Sequence, residues 1–301
     1  MTTVIGDPNP FAIELPAGRA GLRRAVAAEW TKFWSVRSTI WTLVGTAVAV
    51  VGLCALSTGT VSPSDIIGDP TRRSLVGIFL GQLIFGVLGV LVMSAEYGTG
   101  TIRATLSATP RRPVVLSAKI VVFGTVAVVV SEILTFSAFA IGQAILSANN
   151  AVGPSAAITQ RVQQLGVKVP HGLQAALSSS SASLGQADVL RAVVGAGLYL
   201  AVLGLLALGL ATIIRHTAGA ISAFVVVVLV LPLIVQALPM SIGNAVARYL
   251  PANIGLVMFS THGVPDRLGP AFSPWTGFAL LVLYTVLTLA VGCWVLVRRD
   301  A

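Results

Sequence analysis

Residues 189–214 read VLRAVVGAGLYLAVLGLLALGLATII, and Arg191 is the only charged side chain among them. At about 1.5 Å of rise per residue, a helix of this length outreaches the roughly 30 Å hydrocarbon core of a bilayer. The run has no polar face, and a helix that is apolar all round must be buried in a large core or in lipid. Five further runs of the same kind lie on either side of it. The six predicted spans are 39–57, 74–94, 117–146, 189–214, 218–238 and 275–297. The expected fold is all-α: a polytopic integral membrane protein of about six transmembrane helices, occupying 39–297.

Composition agrees with this reading. Of 301 residues 55% are hydrophobic and 10% charged, and the mean hydropathy is +0.91. Soluble domains carry about 25% charged residues, enough to cover a wet surface. The net charge of +9 raises the question of nucleic acid. Most of the basic residues flank the apolar runs, where they act as topology signals and head-group contacts, so nucleic acid is not an expected partner and the bilayer is.

Orientation follows from the same residues, because positive charge in short loops stays cytoplasmic. With the N-terminus inside, twelve of the nineteen Lys and Arg residues fall on the cytoplasmic side, among them Lys32, Arg103, Arg111, Arg112 and Lys119. Both termini, 1–38 and 298–301, are therefore expected in the cytoplasm of a cell whose plasma membrane the chain crosses. Residues 1–38 hold no apolar core of signal-peptide type, and the first span is expected to serve as its own insertion signal. Within that segment Leu22, Val26, Trp30, Phe33 and Trp34 fall at helical spacings, with Lys32 and other charges largely elsewhere on the wheel. This pattern predicts an amphipathic helix in the interface, anchored by Trp30, Lys32 and Trp34.

The loop 147–188 is polar and rich in Ser, Ala and Gln, and is expected outside the cell without dense structure. The loop 239–274 carries an apolar stretch around Pro251 and Asn253 that is too short to span but suited to a re-entrant dip. Cys54 and Cys293 lie within apolar runs without metal or redox spacing, and read as small hydrophobes. Glycine pairs such as Gly77 and Gly81, Gly86 and Gly89, and Gly204 and Gly209 suit close approach of helices.

The cytoplasmic segment 95–116 carries the most functional information. It opens AEYGTGTIRATLSATPRRP over 95–113. Gly98 and Gly100 let the chain leave one helix sharply, Thr99 or Thr101 can cap a short second helix, and Pro110 stops it. Ile102 and Leu106 then share one face at i, i+4. A short helix at the membrane surface and open to the cytoplasm is a docking element.

This segment, together with Glu29-Trp30-Thr31-Lys32, Arg215-His216-Thr217-Ala218-Gly219-Ala220, 248–255 (RYLPANIG) and the Arg298-Arg299-Asp300 ending, resembles the permease subunits of ABC-2 type ATP-binding-cassette exporters. The resemblance implies a six-span permease that pairs with a second permease copy and with separate ATP-binding subunits. It also implies that 95–116 holds the coupling helix. Glu96, Gly98, Gly100, Ile102, Arg103, Leu106, Arg111 and Arg112 would then form the docking site, with Ile102 and Leu106 as apolar contacts and the arginines as polar ones.

The chain has no phosphate-cradling glycine loop around Lys32, Lys119 or Lys168, no clustered histidines and no nucleophile elbow. No catalytic residue, bound cofactor or metal is expected; ATP and Mg would belong to the partner subunit. Glu132 is the one ionisable residue well inside a predicted span, where charge is costly and function is the default suspicion. It either hydrogen-bonds a polar neighbour such as Gln82, Gln143 or Gln236, or serves a proton-coupled secondary transporter. A non-transporting membrane anchor or sensor is the remaining alternative.

Overall fold

The computed structural model describes residues 21–60, 69–109, 111–150, 164, 182–261 and 271–298. All regular structure among them is helical, with no strand. The helices are α1 (Leu22–Ser35), α2 (Arg37–Gly59), α3 (Pro70–Ser74), α4 (Ile78–Gly98), α5 (Thr101–Ala108) and α6 (Arg112–Asn150). They continue as α7 (Ala187–Ile214), α8 (Thr217–Val225), α9 (Leu231–Gln236), α10 (Met240–Ala247), α11 (Pro251–Met258) and α12 (Pro274–Arg298). Among the described residues six helical stretches are long and apolar enough to cross a membrane: α2, α4, α6, α7, the run Thr217–Gln236, and α12.

α7, which holds the apolar run 189–214, is the axis of the bundle. In α7, 67% of the apolar window is buried, against 17% in α2, and α7 packs along α4, α6 and α12. Small residues make this possible. A Cβ at Gly89 would overlap the carbonyl oxygen of Gly204, so α4 and α7 touch backbone to backbone. Gly86 receives the ring of Phe224, and Gly255 of α11 lies on the ring of Tyr199. Lipid supplies no hydrophobic drive between helices, so contact of this closeness is what holds the bundle.

Several boundaries differ from the sequence reading, each for a local reason. The run 74–94 does not begin as one helix: Asp69 caps the separate turn α3 by accepting from the amides of Thr71 (3.0 Å) and Arg72 (3.2 Å), and α4 starts only at Ile78. The fifth span is α8, a π-helical turn over Val226–Val230, and α9. Pro232 lacks the amide that would continue the α ladder, and the wider turn absorbs the break. The loop 239–274 contains α10 and α11, and the carbonyls of Met258, which ends α11, and of Ser260 are held by Arg191 at 3.0 Å each. Most of 147–188, and 262–270, lie outside the described residues.

Of its apolar pattern, α1 turns Phe33 and Val26 inward onto the core. Ala25, Glu29 and Phe33, at i, i+4 and i+8, are buried against the bundle, while Leu22, Trp30 and Trp34 are exposed. α1 stops at Ser35, and extended backbone at Val36 separates it from α2.

Candidate functional site

At one end of the bundle the chain leaves α4 at Gly98, passes through Gly100 with φ of 70° and enters α5. Only glycine adopts that left-handed geometry without strain. The expected threonine cap is not formed: Thr99 Oγ1 donates back to the Ala95 carbonyl at 2.8 Å, and Gly100 is the N-cap residue with no side-chain bond. Thr99 and Thr101 hydroxyls meet at 2.9 Å.

The apolar face of α5 points into the chain. Ile102 is 3% exposed, within the main hydrophobic core, and Leu106 packs on that core half-buried. Ile102 and Leu106 therefore share a face, as their spacing requires, but they seat the helix on its own bundle and do not present it outward. The exposed face carries Thr101, Arg103, Ala104 and Ser107.

Four charged side chains lie directly behind α5. Lys119 of α6 is 2% exposed, and its Nζ lies 2.8 Å from Glu29 Oε2 and 2.8 Å from Glu96 Oε1. Lys32 Nζ lies 2.9 Å from Glu29 Oε1 and 2.6 Å from Glu96 Oε1, and donates to Thr105 Oγ1 of α5 at 3.2 Å. Two cations thus neutralise two anions contributed by α1, α4 and α6. Burying such charges carries a desolvation cost that their mutual pairing offsets in part, and Glu96 Oε2 is left buried without a partner among the described residues. Burial pulls the Lys32 ammonium down, but its hydrogen bonds to Glu96 and Glu29 outweigh that, and the group is held above the ordinary lysine value. A cavity of about 480 Å³ adjoins the cluster, with Lys32, Thr39, Thr42, Leu91 and Phe123 in its walls.

The predicted docking arginines divide into two kinds. Arg103 and Arg111 are exposed. Arg112 is turned inward, donating to the carbonyls of Leu296 (2.9 Å) and Val297 (3.3 Å) at the end of α12. Arg215, at the αL residue between α7 and α8, does the same to Val295 at 2.9 Å and stacks over Tyr97 at 5.6 Å. These guanidinium groups satisfy carbonyls that a helix C-terminus leaves open.

Toward the opposite end, a cleft of about 540 Å³ lies between α4, the π turn, α9, α10 and α11. Its walls are apolar apart from the amides Gln82, Gln236, Asn244 and Asn253, and among the described residues no charged side chain lines it. Gln82 is positioned by the Tyr199 hydroxyl, which donates to its Oε1 at 2.6 Å.

Glu132 sits apart from both regions. Gln82, Gln143 and Gln236 do not bond it: Gln82 is taken by Tyr199, and Gln143 bonds Ser74 Oγ (3.0 Å), the Pro70 carbonyl (3.3 Å) and the Ala182 amide (2.7 Å). Both carboxyl oxygens of Glu132 are buried with no hydrogen-bond partner among the described residues.

Sequence reasoning picked out Lys32, Glu96, Ile102 and Leu106, and the structure brings them together. It missed Glu29, read as part of a polar face, and Lys119, read as a flanking topology residue. The available signal was that Lys119 already lies inside the run 117–146, where an unpaired ammonium is costly. Among the described residues no three His, Cys, Asp or Glu side chains gather as metal ligands. His216 caps α8, its Nδ1 accepting from the Gly219 amide at 3.2 Å. Compared with known proteins, the chain matches no protein-family profile and no curated sequence.

Proposed function

We propose that this multi-span membrane protein is the permease subunit of an ABC-2 type exporter. It moves a hydrophobic or amphipathic compound across the plasma membrane, driven by ATP that a separate ATP-binding-cassette subunit hydrolyses. The chain itself hydrolyses nothing. It works with a second permease copy, and both of its termini and α5 face the cytoplasm.

The observation that carries this reading is the mounting of α5. A short helix between the second and third spans is bolted inward by Ile102, Leu106 and the Lys32–Thr105 bond, and offers an exposed outer face of Arg103, Ala104 and Ser107. A push on that face passes through Lys32, Glu96, Glu29 and Lys119 into α1, α4 and α6 together. The docking contacts are accordingly assigned to Arg103, Arg111 and their exposed neighbours, while Ile102 and Leu106 transmit. The neutral, mostly apolar cleft with four amides supports an uncharged or weakly polar cargo, since a charged one would enter it unpaired.

The test is purification of the chain from its native membrane. It should bring down an ATP-hydrolysing subunit in equal stoichiometry, and Arg103→Glu with Ser107→Glu should weaken that association at least tenfold while the bundle stays folded. A chain that carries no ATPase, or an association indifferent to both substitutions, rules the assignment out.

A further inference from the structure

We infer that Glu132 is an intramembrane proton-binding site, holding its carboxyl group as the neutral acid while α6 and α7 are closed on it. The seat is built for a carboxyl group. Gly197 of α7 lies opposite, and a Cβ there would come within 2.6 Å of the Glu132 carboxyl carbon and one of its oxygens. Beside it Ser131 Oγ donates to the Gly197 carbonyl at 2.8 Å, fixing α6 on α7 at this level.

Among the described residues no group donates a hydrogen bond to either carboxyl oxygen. Of the titratable groups on the elements packed against α6, Lys32, Glu29, Glu96 and Lys119 bond one another at the charged end. Arg191 is bound to the Met258 and Ser260 carbonyls and lies 3.6 Å from Asp188, and the hydroxyls of Tyr199 and Tyr284 donate to Gln82 and to the Tyr249 carbonyl. Arg23 and Arg24 of α1, Arg37 of α2, Tyr97 of α4, Arg103 and Arg298 lie at the charged end, Cys54 of α2 donates to the Ala138 carbonyl, and Arg72 and Arg73 lie on α3. None of them bonds Glu132.

The two carboxyl oxygens are also closed off from the molecular surface. On α6 the neighbours Val129 and Ile133 are 52% and 60% exposed, on a surface that faces lipid when the bundle is embedded. A carboxylate buried without a donor is far costlier than the acid. A proton bound to one Glu132 oxygen removes that cost, and it leaves to water only when α6 and α7 part. This inference concerns the chain alone and does not depend on an ATP-binding partner.

The full chain in lipid nanodiscs provides the test. Infrared spectroscopy at neutral pH should show the carbonyl stretch of an un-ionised carboxylic acid, absent from Glu132→Gln. An apolar carbodiimide, which adds across the carboxylic O–H and leaves an N-acylurea, should label Glu132 by mass spectrometry, and a water-soluble carbodiimide should not. Gly197→Ala, whose methyl group intrudes on the seat, should shift the infrared band and alter the labelling at least threefold. Lack of the band, a band that survives in Glu132→Gln, or equal labelling by both reagents overturns the proposal. The labelling uses the wild-type chain, so misfolding of a variant cannot obscure the result.

Discussion

Lys119 Nζ and Glu96 Oε1 meet at 2.8 Å, 23 residues apart, where α6 enters and α4 leaves the charged end of the bundle. Both side chains are at least nine-tenths buried, so neither can turn to water when the other is removed. Lys119→Met should therefore destabilise the chain by roughly 3 kcal/mol, because Glu29 and Glu96 would share Lys32 alone. Thermal unfolding in detergent measures it. Adding Glu29→Gln should recover part of the loss, and a purely additive double variant would show that the cluster is not coupled.

The same cluster sets a response to alkaline pH. Lys32 is held above its ordinary value of 10.5. A value higher in the folded chain means that its stabilisation is complete below the unfolded pKa and drains away as pH climbs through the folded one. The unfolding midpoint should thus fall more steeply above pH 10.5 in the wild type than in Lys32→Arg, whose guanidinium stays charged. Parallel decline of the two proteins would remove Lys32 from the account.

The spans were legible because length and apolarity suffice to identify them, and α5 because Gly98, Gly100 and Pro110 punctuate it. Direction was not legible. Ile102 and Leu106 are as apolar toward a partner as toward their own core, and only packing decides between the two. Glu29 and Lys119 are 90 residues apart, and nothing in either local pattern announces that they meet. Pro232 could have signalled the break in the fifth span, since a proline inside an apolar helix always leaves one rung of the ladder open.

Glycine substitutions test the bundle itself. At Gly89 a methyl group would strike the Gly204 backbone, which cannot give way, whereas at Gly52 nothing lies within 4 Å. Gly89→Ala should cost about 1–3 kcal/mol or more by overpacking, and Gly52→Ala should be neutral or stabilising by up to about 1 kcal/mol through helix propensity. Unfolding midpoints of equal size for the two variants would mean that α4 and α7 do not touch as described.

Arg112 and Arg103 carry the same charge nine residues apart, yet their surroundings assign them opposite effects. Arg112 Nη1 closes two carbonyls at the end of α12, and a charge-assisted bond of this kind contributes about 1.5–3 kcal/mol. Arg112→Ala should accordingly lower the stability of the isolated chain by about that amount, with the end of α12 exchanging its amide hydrogens faster. Arg103 is exposed on α5, so Arg103→Ala should leave stability within about 0.5 kcal/mol while weakening association with an ATP-binding partner. The two readouts therefore separate a residue that braces the bundle from one that meets a partner. If Arg112→Ala weakened association without loss of stability, the bond to α12 would not be what fixes its role, and the docking face would have to extend from α5 to the start of α6.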